Sequence, residues 1–418
     1  MEKVAVTGMG TLNAIASSLE QYLENLKNMR VGIDWIEQFD AAEYPAAIAA
    51  EIKDFDPSAH LDPKMARRYD RFLQLAVVAA RQAVADAGLS ESQQWREDAA
   101  VTVSSGIGGF KTLHREYQNL FSRGPKAVRP FLIPMMIADM ASGAVALDLQ
   151  LKGPNFSVIS ACASSLHSLI VSAMMVQAGT VDFALAGGSE AVIDPMPVAA
   201  FGNMTALSPR RDAPKEACRP FDTHRDGFVM GEGAGVLVLE SERSALARGA
   251  RIYGWIEGWG MSEDAFHISQ TDPEGRGAAK AMLQALGSAN CAPSDIDLVN
   301  CHATSTPVGD VSEIRALRKV FGDALPQIPL QSTKSLLGHT LGAAGAVELI
   351  AGILQLRNGF VHGMPNLDTP DPECEGLYLP RTTEKLQGTR LLKNAFGFGG
   401  HNACVLFRAN PNGWEGAR

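Results

Sequence analysis

The stretch FSVISACASSLHSLIVSAMMVQAG, residues 156–179, holds three features in order: a strand-like apolar run at 156–159, a turn of small residues around Cys162, and a small-residue helix closed by Gly179. The same order returns in IPLQSTKSLLGHTLGAAGAVELIAGILQLRNG, residues 328–359, again a strand, a polar turn and a helix ending in Gly. Each stretch is followed by a Gly-interrupted strand, VDFALAGGSEAV at 181–192 and KNAFGFGGHNACVLF at 393–407. The repeated order predicts two copies of one α/β unit, residues 1–250 and 251–418. Short strands alternating with amphipathic helices further predict mixed sheets covered by helices.

Outward from that core, the chain opens with a strand over 4–7, turned by Gly8 and Gly10, and a helix carrying Leu19, Tyr22, Leu23 and Leu26. From Lys64 onward, Arg67, Arg68 and Arg71 follow at i+3, i+4 and i+7, which predicts one basic helix face, continued through RFLQLAVVAARQAVADAGL to a C-cap at Gly88. Such a stripe is either a solvated face or a landing site for an acidic protein. A strand over 99–103 leads into SGIGGF, and RPFDTHRDGFVMGEGAGVLVLE at 219–240 predicts a Gly-rich turn feeding a strand.

Composition narrows the classes of function. With 418 residues, 46% apolar and 20% charged, the chain can bury a large core. Its six cysteines are scattered without C-x-x-C or Cys/His zinc spacing, which predicts no metal site and a reducing, cytoplasmic setting. No apolar run behind a basic flank suggests a signal peptide, and no window is long enough to predict a membrane span. A net charge of −9 argues against nucleic acid as a partner.

Three segments carry candidate chemistry. Cys162 precedes a helix, where backbone N–H groups and the helix dipole favour the nucleophilic thiolate, although a lone cysteine among Ala and Ser is by itself more often a packed thiol. CHATSTPVGD sets His302 directly after the apolar run 296–300, with hydroxyls at Thr304, Ser305 and Thr306. KSLLGHTLGAAG carries Lys334 and His339, with Glu348 further along, and GFGG at 397–400 forms a loop around Phe398. The Gly-rich turns lack the spacing of a dinucleotide fingerprint.

Together, ACASS, HATSTPVGD, KSLLGHTLGAAGAVE, RPFDTHRDGFVMGEGAG and NAFGFGGHNA resemble the condensing enzymes of type II fatty-acid synthesis, above all the elongating β-ketoacyl-[acyl-carrier-protein] synthase II group. The resemblance runs from VTGMG to the last strand. It implies the thiolase-like, duplicated α-β-α-β-α five-layer sandwich, a homodimer, no resident cofactor or metal, and acyl carrier protein in its acyl and malonyl forms as the partner that brings the phosphopantetheine arm. By the same resemblance, Cys162 would carry the acyl chain as a thioester, and the amides of Cys162 and Phe398 would form the oxyanion hole. His302 and His339 would donate to the malonyl thioester oxygen, and Lys334, paired with Glu348, would support His339. Thr304, Thr306, Ser269 and His267 would line the pantetheine path, Ile107 and Phe201 the acyl pocket, and Phe398 its gate. Lys64, Arg67 and Arg68 match a docking patch for carrier protein. Ala303 departs from the Gly common after the first histidine, adding a methyl beside the arm. An initiating synthase would have Asn in place of one histidine, and a thiolase a second cysteine near Phe398 and His401. A type II polyketide ketosynthase subunit shares every catalytic residue and stays open, whereas a silent chain-length-factor-like subunit would lack Cys162.

Overall fold

The computed structural model describes residues 2–89 and 94–411. Nine strands form one mixed sheet: β1 (Val4–Asn13), β2 (Ala100–Ser104), β3 (Phe183–Glu190), β4 (Gly233–Ser241), β5 (Gly254–Glu263), β6 (Leu298–Asn300), β7 (Leu330–Gln331), β8 (Arg390–Gly397) and β9 (His401–Ala409), in the order β2-β3-β4-β1-β5-β9-β8-β6-β7. Read outward from the centre, β1-β4-β3-β2 pair antiparallel, antiparallel, parallel, and β5-β9-β8-β6 repeat that pattern. The duplication expected from residues 156–179 and 328–359 is therefore a duplication of sheet topology, and the halves meet through the short pairing of Val4–Val6 with Ile256–Gly254.

Six helices complete the layers: α1 (Arg71–Asp86), α2 (Met140–Leu149), α3 (Ser164–Gln177), α4 (Arg276–Ser288), α5 (Pro307–Phe321) and α6 (Ala344–Asn358). Every residue of α6 from Ala344 to Leu356 is buried, and α3 is buried on nearly all sides. Helices apolar all round must sit at the centre of a fold. Accordingly α3 and α6 lie side by side between the two half-sheets, in a core that takes Leu166, Leu169 and Leu237 from the first half and Ile350, Leu391 and Phe407 from the second. The amphipathic α1 covers the outer face of the first half-sheet together with α2, while α4 and α5 cover the second, each pair over its own apolar cluster. Helix, half-sheet, helix, half-sheet, helix is the five-layer arrangement expected.

Several local expectations give way to packing. β1 continues through Gly8 and Gly10 with a register shift between Val6 and Gly8, and the glycines serve packing: a Cβ at either would lie 2.2 or 2.1 Å from the carbonyl oxygen of Ala83 or Ala79 on α1. Residues 156–159 are not a strand: they run beside the edge strand β2, where the Phe156 amide donates to the Val101 carbonyl, with Phe156 and Ile159 exposed, so their apolar character marks a surface. β3 continues through Gly187 and Gly188, whereas 393–407 folds into two strands, β8 and β9, so the echo of 181–192 extends only to β8. The basic stripe is also split. A short helix, Pro63–Arg68, ends before Tyr69, Asp70 caps α1, and Arg71 turns inward to bond the buried Glu232 at 2.8 Å. Gly88 closes α1 with φ of 68°, as expected.

Candidate active site

Cys162 stands in a single 3₁₀ turn, Ala161–Ala163, that leads straight into α3, and Leu341–Ala343 leads in the same way into α6. Both turns begin with a non-glycine residue in the left-handed region, Ala161 at φ 49° and Leu341 at φ 47°. The repeated unit therefore makes two equivalent elbows, one bearing Cys162 and the other Gly342. No side chain fits at the second: a Cβ on Gly342 would lie 2.3 Å from the Gly106 amide and 2.7 Å from Glu190 Oε2. Glu190 is fully buried and ties the GIGG loop to that elbow by accepting from Ser105 Oγ (2.6 Å), the Gly106 amide (2.8 Å) and the Gly342 amide (3.0 Å).

β6 delivers His302 from one side. Its backbone N–H and that of Ala303 donate to the buried carboxylate of Glu313 on α5 at 2.8 and 2.7 Å, which fixes the turn after the strand. His339 arrives from the other half of the motif. Lys334 lies in a short helix, Lys334–Leu337, and Gly338 at φ 65° then ends it, so Lys334 and His339 do not share one helix. The His339 backbone is strapped to Val229 and Gly231, on the Gly-rich turn before β4. The imidazoles meet edge to face with centroids 5.3 Å apart, and Phe228 and Phe396 pack against them at 5.5 and 5.6 Å.

Cys162, His302 and His339 line one cavity of about 440 Å³, and Phe398, Phe201, Ile107, Thr304, Thr306 and Ser269 are on its wall. The Thr304 and Thr306 hydroxyls bond each other at 3.1 Å, and Thr306 stands at the N-cap position of α5. His267 is the exception among the expected path residues: it is exposed beside Ser269 and takes no part in the lining, because its ring turns back to accept from the Ser269 amide at 3.2 Å. Lys64, Arg67 and Arg68 are exposed together on their short helix, with Arg68 over the Phe131 ring.

The electrostatics differ from the expectation for a helix-terminal thiol. Burial dominates and pushes the Cys162 thiol up to about 12, against the opposing pull of Lys334 and of the Phe398 and Cys162 amides, both of which bear on the sulfur. Desolvation outweighs the helix terminus here, so the resting group is a neutral thiol. Burial, reinforced by Lys334 and Lys393, also holds His302 and His339 well below the usual imidazole range, so both are neutral. Nδ1 of His302 and both ring nitrogens of His339 are buried without a hydrogen-bond partner among the described residues. Behind them, Glu348 on α6 is paired with Lys334 at 2.7 Å, as expected, and also with Lys393 on β8. All three are fully buried.

Glu190, Glu313 and Lys393 were missed from the sequence. For Glu313 a signal existed, since PVGDVSEI places acids at i and i+3 in the first turns of a helix following His302. Lys393 carried none, because one lysine in an apolar strand reads as its edge.

Two family models match the chain, "Beta-ketoacyl synthase, N-terminal domain" over residues 1–245 and "Beta-ketoacyl synthase, C-terminal domain" over residues 253–368. The chain belongs to the β-ketoacyl synthase family. Within that family it is 44% identical over 407 residues to a 3-oxoacyl-[acyl-carrier-protein] synthase 2 of Staphylococcus aureus (strain COL), covering 97% of this chain and 98% of the relative. A β-ketoacyl synthase from Burkholderia phymatum STM815 superposes with a TM-score of 0.92 at 33% identity, covering 98% and 100% of the two chains. A type II PKS ketosynthase, solved in complex with its acyl-carrier protein and bound to the hexaketide, superposes with a TM-score of 0.91 at 28% identity, again over 98% and 100%. The condensing-enzyme resemblance read from ACASS, HATSTPVGD and KSLLGHTLGAAGAVE is thus a relationship along almost the whole chain. Among the described residues no helix is long and apolar enough to cross a membrane, and no cluster of His, Cys, Asp and Glu could hold a metal ion.

Proposed function

We propose that this chain elongates fatty acyl chains by decarboxylative Claisen condensation. Acyl carrier protein would present an acyl thioester to Cys162. Its sulfur attacks the carbonyl, the oxyanion is received by the Cys162 and Phe398 amides, and the carrier thiol leaves with the proton given up by Cys162. Malonyl-carrier protein then enters, its carboxylate bond breaks to release carbon dioxide, and the electron pair moves onto the thioester oxygen as an enolate. His302 and His339 would donate N–H bonds to that oxygen. The enolate carbon attacks the Cys162 thioester, its carbon–sulfur bond breaks, and the expelled thiolate takes a proton from solvent, giving 3-oxoacyl-carrier protein and the free thiol.

The observation that carries this reading is one cavity in which a thiol, two amides bearing on it and two neutral imidazoles with buried, unpartnered nitrogens converge. Neutral imidazoles suit the task, since they donate without drawing the malonyl carboxylate into an ion pair that would oppose its loss. Ile107 and Phe201 would enclose the acyl chain, and the half-exposed Phe398 ring, 6.3 Å from Phe201, would gate it. Thr304, Thr306 and Ser269 would bond the phosphopantetheine arm, a substrate group that leaves the protein without need of a resident cofactor.

Lys64, Arg67 and Arg68 would receive the acidic carrier protein. A second copy would cover the exposed Phe131, Ile133, Ile137, Phe156 and Ile159, a homodimer that would explain why those apolar side chains are outside. The unpaired cysteines suit a cytoplasmic enzyme. Similarity to the hexaketide-bound ketosynthase favours a second reading, in which the acceptor is a polyketide chain.

Intact-protein mass spectrometry after incubation with acyl-carrier proteins of graded length tests both. Saturated acyl adducts on Cys162, absent from Cys162→Ala, are expected; elongation at the normal rate by Cys162→Ala would refute the nucleophile, and adducts only from β-keto chains would favour the polyketide reading. His302→Ala and His339→Ala should each lower carbon dioxide release by about 10² or more, the scale of losing one oxyanion donor.

A further inference from the structure

Behind the two histidines, one carboxylate is shared by two ammonium groups. Lys393 and Asn300 face each other across the parallel β6–β8 ladder, and Lys393 Nζ donates to Asn300 Oδ1 at 2.8 Å, to the Cys301 carbonyl at 3.4 Å and to Glu348 Oε2. These bonds reach three segments of the site. Asn300 and Cys301 lead directly into His302, β8 itself leads through Gly397 into the Phe398 amide, and Glu348 holds Lys334 at the start of the segment that ends at His339. With the buried Glu313 on α5 also facing Lys393, two lysines stand against two carboxylates, and the cluster is balanced only while Lys393 keeps its proton. Loss of that proton would leave a carboxylate without its balancing cation close behind the imidazoles, and a buried uncompensated charge is costly.

We propose, building on the condensation reading above, that Lys393 is a positioning residue for the decarboxylation step. It fixes the His302 turn against His339 and supplies the positive charge that keeps the two buried carboxylates from opposing the enolate as it forms. Acyl transfer, whose charge develops at the Cys162 and Phe398 amides, depends on it much less.

The surroundings make the charge titratable. Facing Lys393 are Lys334 and Glu348 from the α6 side, Glu313 from α5, Cys301 after β6 and Cys404 on β9. Burial brings its ammonium down to about 8, and Lys334 adds to the fall while Glu348 and Glu313 resist it. Lys393 therefore balances the two carboxylates below about pH 8 and leaves one uncompensated above.

The test measures two half-reactions on the full-length enzyme from pH 6.5 to 9.5: carbon dioxide release from malonyl-carrier protein, and acyl transfer to the enzyme from an acyl-carrier protein. In the unaltered enzyme, carbon dioxide release should be level below pH 8 and fall above it toward a floor about tenfold lower, while acyl transfer rises. Lys393→Met should release carbon dioxide roughly tenfold more slowly below pH 8, less than the loss of a histidine, with no bend near 8, an unchanged KM for malonyl-carrier protein and acyl transfer within about twofold. A Lys393→Met enzyme that keeps both the rate and the bend overturns the assignment. Should that variant not fold, a level profile through pH 9.5 in the unaltered enzyme overturns it equally. If the unaltered enzyme releases no carbon dioxide, the condensation reading itself falls; if it does, with a level profile, only the role of Lys393 falls.

Discussion

Replacing Gly342 by alanine probes the empty elbow directly. The added methyl would sit 2.3 Å from the Gly106 amide nitrogen, 2.9 Å from the Gly106 Cα and 2.7 Å from Glu190 Oε2. None of these is the free end of a flexible side chain, since Glu190 is held by four donors from Ser105, Gly106, Ile107 and Gly342. Overpacking of this kind costs about 1–3 kcal/mol. Pushing the GIGG loop away also loosens hydrogen bonds to a charged acceptor, worth about 1.5–3 kcal/mol each. One such bond lost with the clash gives a destabilisation on the order of 3–5 kcal/mol. Gly287, exposed in α4 with nothing within 4 Å of its would-be Cβ, is the matched control. There alanine should stabilise by about 0.5–1 kcal/mol through helix propensity. Urea unfolding of both variants, read by circular dichroism, makes the comparison. Gly342→Ala matching Gly287→Ala in sign would refute the claim that the second elbow is closed by the first half's loop.

Two further outcomes are expected. Alkylation of Cys162 by iodoacetamide should accelerate about tenfold per pH unit from 7 to 10 without levelling, because a thiol raised to about 12 exposes only its thiolate fraction; a plateau below pH 9 would show that the amides and Lys334 outweigh burial. Charge reversal of Lys64, Arg67 and Arg68 should raise KM for carrier-protein substrates at low salt and spare small thioester surrogates, and an equal effect on both would exclude docking there.

The residues that touch the cavity were largely legible in the sequence, whereas those that hold them were not. Cys162, His302, His339 and Phe398 stand in small-residue or Gly-rich turns, and such turns are rare enough along a chain to attract notice. Glu190 and Lys393 are conspicuous only once their partners are known, and those partners lie 93 and 152 residues away for Asn300 on Lys393 and Gly342 on Glu190. Local pattern reports what a side chain is, and long-range bonding reports why it can be buried. The misread strands have the same origin. Gly8 and Gly10 look like a turn until the neighbouring helix is seen to need their missing side chains, and residues 156–159 look like a core strand until their exposed apolar face is seen.

The middle layer has a consequence for how the molecule comes apart. Its side chains are drawn from both repeats at once, so neither repeat can shed water from its inner face until the other is in place. A ribosome releasing the first repeat would leave α3 and the inner face of its half-sheet wet until α6 emerged some 180 residues later. Assembly of this chain is thus a late, long-range event, and the cleft that holds Cys162 comes into being only with it.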